Sequence, residues 1–161
     1  MSKSATLETK VREFLAHERI AVAGVSSNDT NAPANLIYRK LRDASYEVFA
    51  VNPRVASVEG DDCYPDLAAI PARVGAVVVA THPEVTPEVV SQCIDLGIRH
   101  VWMHRSFGAG SVADEAVTRC REHGIHVIPG GCPMMFLSPV DVGHRCMLWF
   151  LGLIGKLPRA A

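Results

Sequence analysis

The residues best suited to chemistry begin at Gly24-Val25-Ser26-Ser27, a glycine followed within three positions by two hydroxyls. Such a loop can bring backbone N–H groups against a phosphate at a helix N-terminus, with Ser26 and Ser27 adding hydroxyl donors. A polar turn that caps a helix accounts for the same residues equally well. The dinucleotide pattern G-x-G-x-x-G is incomplete, because Val25, Ser26, Ser27, Asn28 and Asp29 follow Gly24. Asp29 would repel phosphate and is expected to face solvent.

A second group lies downstream at Val51-Asn52-Pro53-Arg54. Enzymes that use NAD commonly carry an acid here, about 20 residues past the loop, to hold the ribose 2'-hydroxyl. No carboxylate is present. Arg54 instead offers a cationic fork suited to a ribose-linked phosphate, such as the 3'-phosphate of coenzyme A or the 2'-phosphate of NADP. A solvated charge beyond an Asn-Pro turn is the bland alternative.

Cys132, in Gly130-Gly131-Cys132-Pro133, stands before an expected helix start whose dipole would favour thiolate and a mixed disulfide with a thiol ligand. A small buried residue in a tight turn is the competing reading. The seven histidines show no His-Glu-x-x-His spacing, and His144 and Cys146, two apart, point to different helix faces. No metal site and no catalytic constellation is assigned. His82 and His104 follow strands but lack a local acid or nucleophile.

The elements that must position these groups read as alternating strands and helices. Thr6 to His17 is an amphipathic helix. Ile20 to Val25 is a continuous apolar run, as in a parallel strand covered on both faces. Ala34 to Ala44 is a helix, and Tyr46 to Val51 is the second strand. Ala76 to Ala80, His100 to Met103 and His126 to Ile128 are the remaining strands, with helices over Pro87–Leu96 and Ser111–His123 between them. The pattern implies an α/β domain: a doubly wound, parallel five-stranded sheet, order 3-2-1-4-5, with helices on both faces. Ligands of such sheets bind at the topological switch point, expected here at Gly24–Ser27 and His104–Gly108.

With 161 residues, 48% hydrophobic and 20% charged, the chain fits one globular domain over 1–161, ending in an apolar helical tail over 134–157. A formal charge of -1 provides no field to draw it onto nucleic acid or an anionic membrane. The longest apolar run, Met147 to Ile154, is far short of the ~20 residues that span a bilayer. Five cysteines without a paired framework and an N-terminus without a signal-peptide core point to a reduced, cytoplasmic setting.

Taken together, Ile20 to Ser27, Ile37-Tyr38-Arg39-Lys40-Leu41, Val51-Asn52-Pro53 with Gly60, Tyr64 and Leu67, and Val101-Trp102 resemble the small standalone CoA-binding proteins. Their Rossmann-type domain also begins the succinyl-CoA synthetase α chain, and the resemblance runs from Arg19 to Cys132. It implies a nucleotide over Gly24 to Ser27, with Asn52, Pro53 and Arg54 beside the ribose and adenine, and Ala80, Thr81 and Pro83 as a wall. Trp102 and Cys132 join the site on the same basis, although Trp102 also reads as strand packing.

The expected function is binding of coenzyme A or an acyl-CoA in a non-catalytic or regulatory role. Two alternatives stay open. One is an NADP-dependent oxidoreductase using Arg54. The other is an interaction module forming a homodimer through the tail, whose Met134 to Leu137 and Met147 to Leu153 exceed what one buried helix face needs.

Overall fold

The computed structural model describes residues 6–158. Helix α1 (Leu7–Leu15) is capped by Thr6, whose hydroxyl accepts from the Thr9 N–H at 3.3 Å. The apolar run after it forms β1 (Arg19–Ala23), and α2 (Pro33–Asp43) follows with Pro33 in its first turn. Next come β2 (Glu47–Val51), a hairpin of β3 (Ser57–Val58) and β4 (Asp61–Tyr64), and β5 (Ala76–Val79). The second half contains α3 (Thr86–Asp95), β6 (His100–Met103), α4 (Asp114–Glu122) and β7 (His126–Pro129). A 3-10 turn at Pro133–Met135 precedes α5 (Val142–Leu153). The expected tail helix over 134–157 is thus divided in two.

The sheet runs β3-β4-β2-β1-β5-β6-β7. The α/β doubly wound class stands, but seven strands replace the expected five. Ala76–Val79, read as the third strand at the outer edge, pairs instead with β1, Ile20 opposite Ala76. The place beside β2 belongs to β4, Val51 opposite Tyr64, so the order 3-2-1-4-5 applies only once β4 is counted third. Its sequence, Asp61-Asp62-Cys63-Tyr64, buries Cys63 alone, so no apolar run marks it. The switch point consequently falls between β1 and β5. The loop after β6, His104 to Gly108, is one strand removed from it.

Alternation along the central strands divides the core. Ile20, Val22, Val78 and Trp102 face α1 and α2, and Leu151 of α5 joins them. Ala21, Ala23, Val77 and Met103 face α3 and α4. Helix α5 therefore covers part of the sheet through Leu151, while Trp149 and Leu153 stay 69% and 65% exposed. Among the described residues no helix is long and apolar enough to cross a membrane.

Candidate functional site

At the switch point two backbones nearly touch. Gly24 has φ 103°, and a Cβ there would meet Ala80 O, with Ala80 C at 2.7 Å and Thr81 N at 2.9 Å. Only glycine allows β1 and β5 to turn away from each other this closely. Its N–H donates to Val51 O at 3.1 Å, which ties the loop to β2 as well.

Two side-chain amides then shape the loop. The Asn52 Nδ2 donates to Val25 O at 2.6 Å, while its Oδ1 accepts the Arg54 N–H at 2.8 Å. The sequence Asn-Pro therefore acts as a bracket between two strand ends, not as a free turn. Asn35, fully buried in α2, accepts from Ser26 N and donates to Ser26 O, both at 2.8 Å. Its Nδ2 also donates to Glu59 Oε1 at 2.8 Å, an oxygen that takes a second bond from Arg39 at the same distance. Glu59 and Gly60 form the β3–β4 turn with φ 54° and 83°, so this network also holds the hairpin's positive-φ residue in place.

These bonds decide which donors remain. The Ser26 hydroxyl accepts from Asn28 N at 3.2 Å and Asp29 N at 3.1 Å, so it serves the loop itself. Among the described residues the N–H groups of Val25 and Ser27 have no acceptor, and no side chain caps α2. Those groups and the positive end of α2 are what an anion would meet. Arg54, its backbone tied to Val25 through Asn52, lies exposed, and its guanidinium has no partner among the described residues. Asp29 is exposed, as its chemistry requires.

Beside Gly24, past Ala80 and Thr81, a cavity of about 620 Å³ opens between α2, the loop after β6, Cys132 and α5. Its polar groups are largely paired with one another. Ser111 Oγ donates to Thr81 O at 2.6 Å, Thr86 Oγ1 to Ser111 O at 2.7 Å, and His104 Nε2 lies 3.1 Å from Ser106 Oγ. Burial, reinforced by the nearby His144, lowers the His104 pKa to about 4, so the ring is neutral at ordinary pH. A larger cavity of about 960 Å³, lined by Arg105, Arg121 and Lys156, opens beyond Phe107 and does not reach the Gly24 loop.

Two expected site residues sit differently. Trp102 is fully buried, its indole N–H donating to Gly130 O at 2.9 Å and its ring wedged between Phe14 and Phe136, so it supports the site from below. Cys132 does line the cavity, but the helix after it is a single 3-10 turn and burial pushes its thiol up to about 11. Thiolate is disfavoured there, contrary to the dipole argument. Val25 and Val51 bury their side chains and offer backbone only, and Pro83 is half-buried in the turn after Thr81. Asn35 and Glu59 were not singled out. A lone Asn on the apolar face of α2, three residues before Tyr38, was the available signal.

The fold and the site together define a Rossmann-type α/β domain with unpaired backbone N–H groups at its switch point. The sequence matches the CoA binding domain family over residues 18–138, and the chain belongs to that family. It is 32% identical over 74 residues to acetate–CoA ligase (ADP-forming) I of Archaeoglobus fulgidus, a stretch covering 46% of this chain and 11% of the ligase. The uncharacterized protein YneT of Bacillus subtilis is 26% identical over 126 residues, 78% of this chain and 90% of that protein. A hypothetical protein from Pyrococcus horikoshii OT3 superposes with TM-score 0.75 at 28% identity, covering 87% of this chain and 99% of that one. The chain thus spans nearly the whole of two small relatives and about a tenth of the ligase.

Proposed function

We propose that this protein binds coenzyme A, free or acylated, with the pyrophosphate at the unpaired N–H groups of Val25 and Ser27 and the 3'-phosphate at Arg54. The observation that carries the reading is the Asn52 bracket, which ties the Arg54 backbone to the glycine loop through Val25, at a strand end that carries no carboxylate. Ala80, Thr81 and Pro83 form the wall over which the pantetheine arm leaves the nucleotide. Family membership favours coenzyme A over NADP, the other nucleotide whose ribose phosphate Arg54 could hold. The protonated Cys132 thiol and neutral His104 support a binding role without nucleophilic catalysis.

Calorimetric titration with coenzyme A, NADPH and NADH tests this directly. Coenzyme A binds tightest, and Arg54→Ala weakens it roughly fivefold, about 1 kcal/mol for a solvent-exposed charge-assisted contact, with a smaller loss at high salt. Tighter binding of NADPH than of coenzyme A would reverse the assignment.

A further inference from the structure

We infer that the cavity beside Gly24 takes the acyl end of the ligand, and that it selects hydrocarbon acyl-CoA over free coenzyme A and over acyl groups ending in a carboxylate. The inference rests on the coenzyme A reading above and adds the class of acyl group.

Position comes first. Ala80 and Thr81 are both the backbone that Gly24 touches and part of the cavity wall, so the cavity begins where the nucleotide loop ends. An arm leaving the pyrophosphate along that wall is led to the cavity's mouth. A volume of about 620 Å³ lies within the range of small-molecule pockets.

The lining then restricts what can follow. Leu36 of α2, Phe107, Met134 and Met147 of α5 supply apolar surface, and no Lys, Arg, Asp or Glu is among the lining residues. Methionine adapts to chains of differing shape. The polar side chains already have partners within the protein: Ser111 on the Thr81 carbonyl, the Thr81 hydroxyl with Thr86, and His104 with Ser106. The remaining ionisable groups are His82, exposed at the mouth beside Glu84, and His144, whose Nδ1 lies 2.6 Å from Asp141 Oδ2. Any charge on His144 is therefore already matched. A terminal carboxylate would lose its hydration here and gain no unmatched cation in return. A methylene loses only unfavourable contact with water.

The test is a titration series on the full chain with coenzyme A, acetyl-CoA, butyryl-CoA and succinyl-CoA. Each buried methylene tightens binding roughly three- to fourfold, so butyryl-CoA should exceed acetyl-CoA by about tenfold and succinyl-CoA should fall below butyryl-CoA by at least that factor. Coenzyme A binding with all acyl forms equal overturns the acyl site while leaving the nucleotide site in place. Succinyl-CoA as tight as butyryl-CoA overturns the hydrocarbon class. Silence of every ligand, coenzyme A included, overturns the nucleotide reading and this inference with it. Met147→Trp, and separately Leu36→Phe on the α2 wall, should collapse the butyryl-to-acetyl ratio toward one. An unaltered ratio in both folded variants places the acyl group elsewhere.

Discussion

The two edges of the sheet are held together by different physics. At the C-terminal edge, Gly24, Ala80, Asn35 and Asn52 join loops through backbone approach and amide hydrogen bonds, none of which titrates; His104, a titrating ring at this edge, stands apart from them after β6. At the N-terminal edge, His17, His100 and His126 form a row of rings with centroids 4.6 and 4.9 Å apart. Glu13 approaches His126 at 3.8 Å, and its buried Oε2 has no hydrogen-bond partner among the described residues. The edge assigned to the ligand is built from groups that cannot move independently. The opposite edge is built from side chains that can swing into water, and its contacts depend on protonation.

Gly24→Ala should expose that difference most strongly. A methyl there meets the Ala80 carbonyl and the Thr81 amide, backbone on both counts, at a φ that L-residues rarely adopt. Strain and overpacking together predict a loss of about 3–5 kcal/mol in denaturant-derived stability. A loss below about 1 kcal/mol would show that the loop can relax and that the rigid edge is not rigid.

Acid should act on both edges with one sign and unequal size. His104 has its folded pKa lowered to about 4 by burial, against about 6.5 when unfolded, so the unfolded chain binds the extra proton between those values. Stability is complete above pH ~6.5, falls as pH drops through the window and levels off below about 4, for a total near 3 kcal/mol. His100 is likewise lowered to about 4, by burial first and then by His17 and His126, but it is half exposed and solvent screening shrinks its share. In urea titrations at pH 7 and pH 4.5, His104→Gln should remove more of the acid loss than His100→Gln. The reverse ranking would move the pH-sensitive centre to the histidine row.

What could be read from the sequence follows the same division between continuous and paired signals. Ile20 to Val25, the helix after it and Tyr46 to Val51 each announce themselves by an apolar run or a helical period, so the first βαβ unit and the Gly24 and Arg54 placements were legible. The β3–β4 hairpin was not, because four residues with two aspartates bury one side chain and owe their strand to Tyr38 and Arg42, which reach Asp61 from α2 at 2.8 and 2.6 Å. Missing β4 misplaced the third strand and, with it, the switch point. The amide brackets of Asn35 and Asn52 are properties of residue pairs 9 and 27 positions apart, beyond any local pattern. Trp102 reads from the sequence as strand packing ahead of a substrate site, and its full burial agrees with the packing reading.

Gly75→Ala is the smallest perturbation and the sharpest control. Gly75 precedes β5 and donates its N–H to Arg19 O at 3.1 Å, and a Cβ there would meet the His17 imidazole, with Cε1 at 2.8 Å and Cγ at 2.9 Å. Unlike the Gly24 case, the obstacle is a partly exposed ring, and the glycine has no positive φ to lose. The ring can rotate outward, giving up its contact with His100 but displacing no backbone, so the expected cost is about 1 kcal/mol. Release of His17 also removes the neighbour that shields His100, so the His100 pKa should rise from its depressed value in an NMR titration. A stability loss matching that of Gly24→Ala, with His100 titrating as before, would mean that the N-terminal edge is as unyielding as the other.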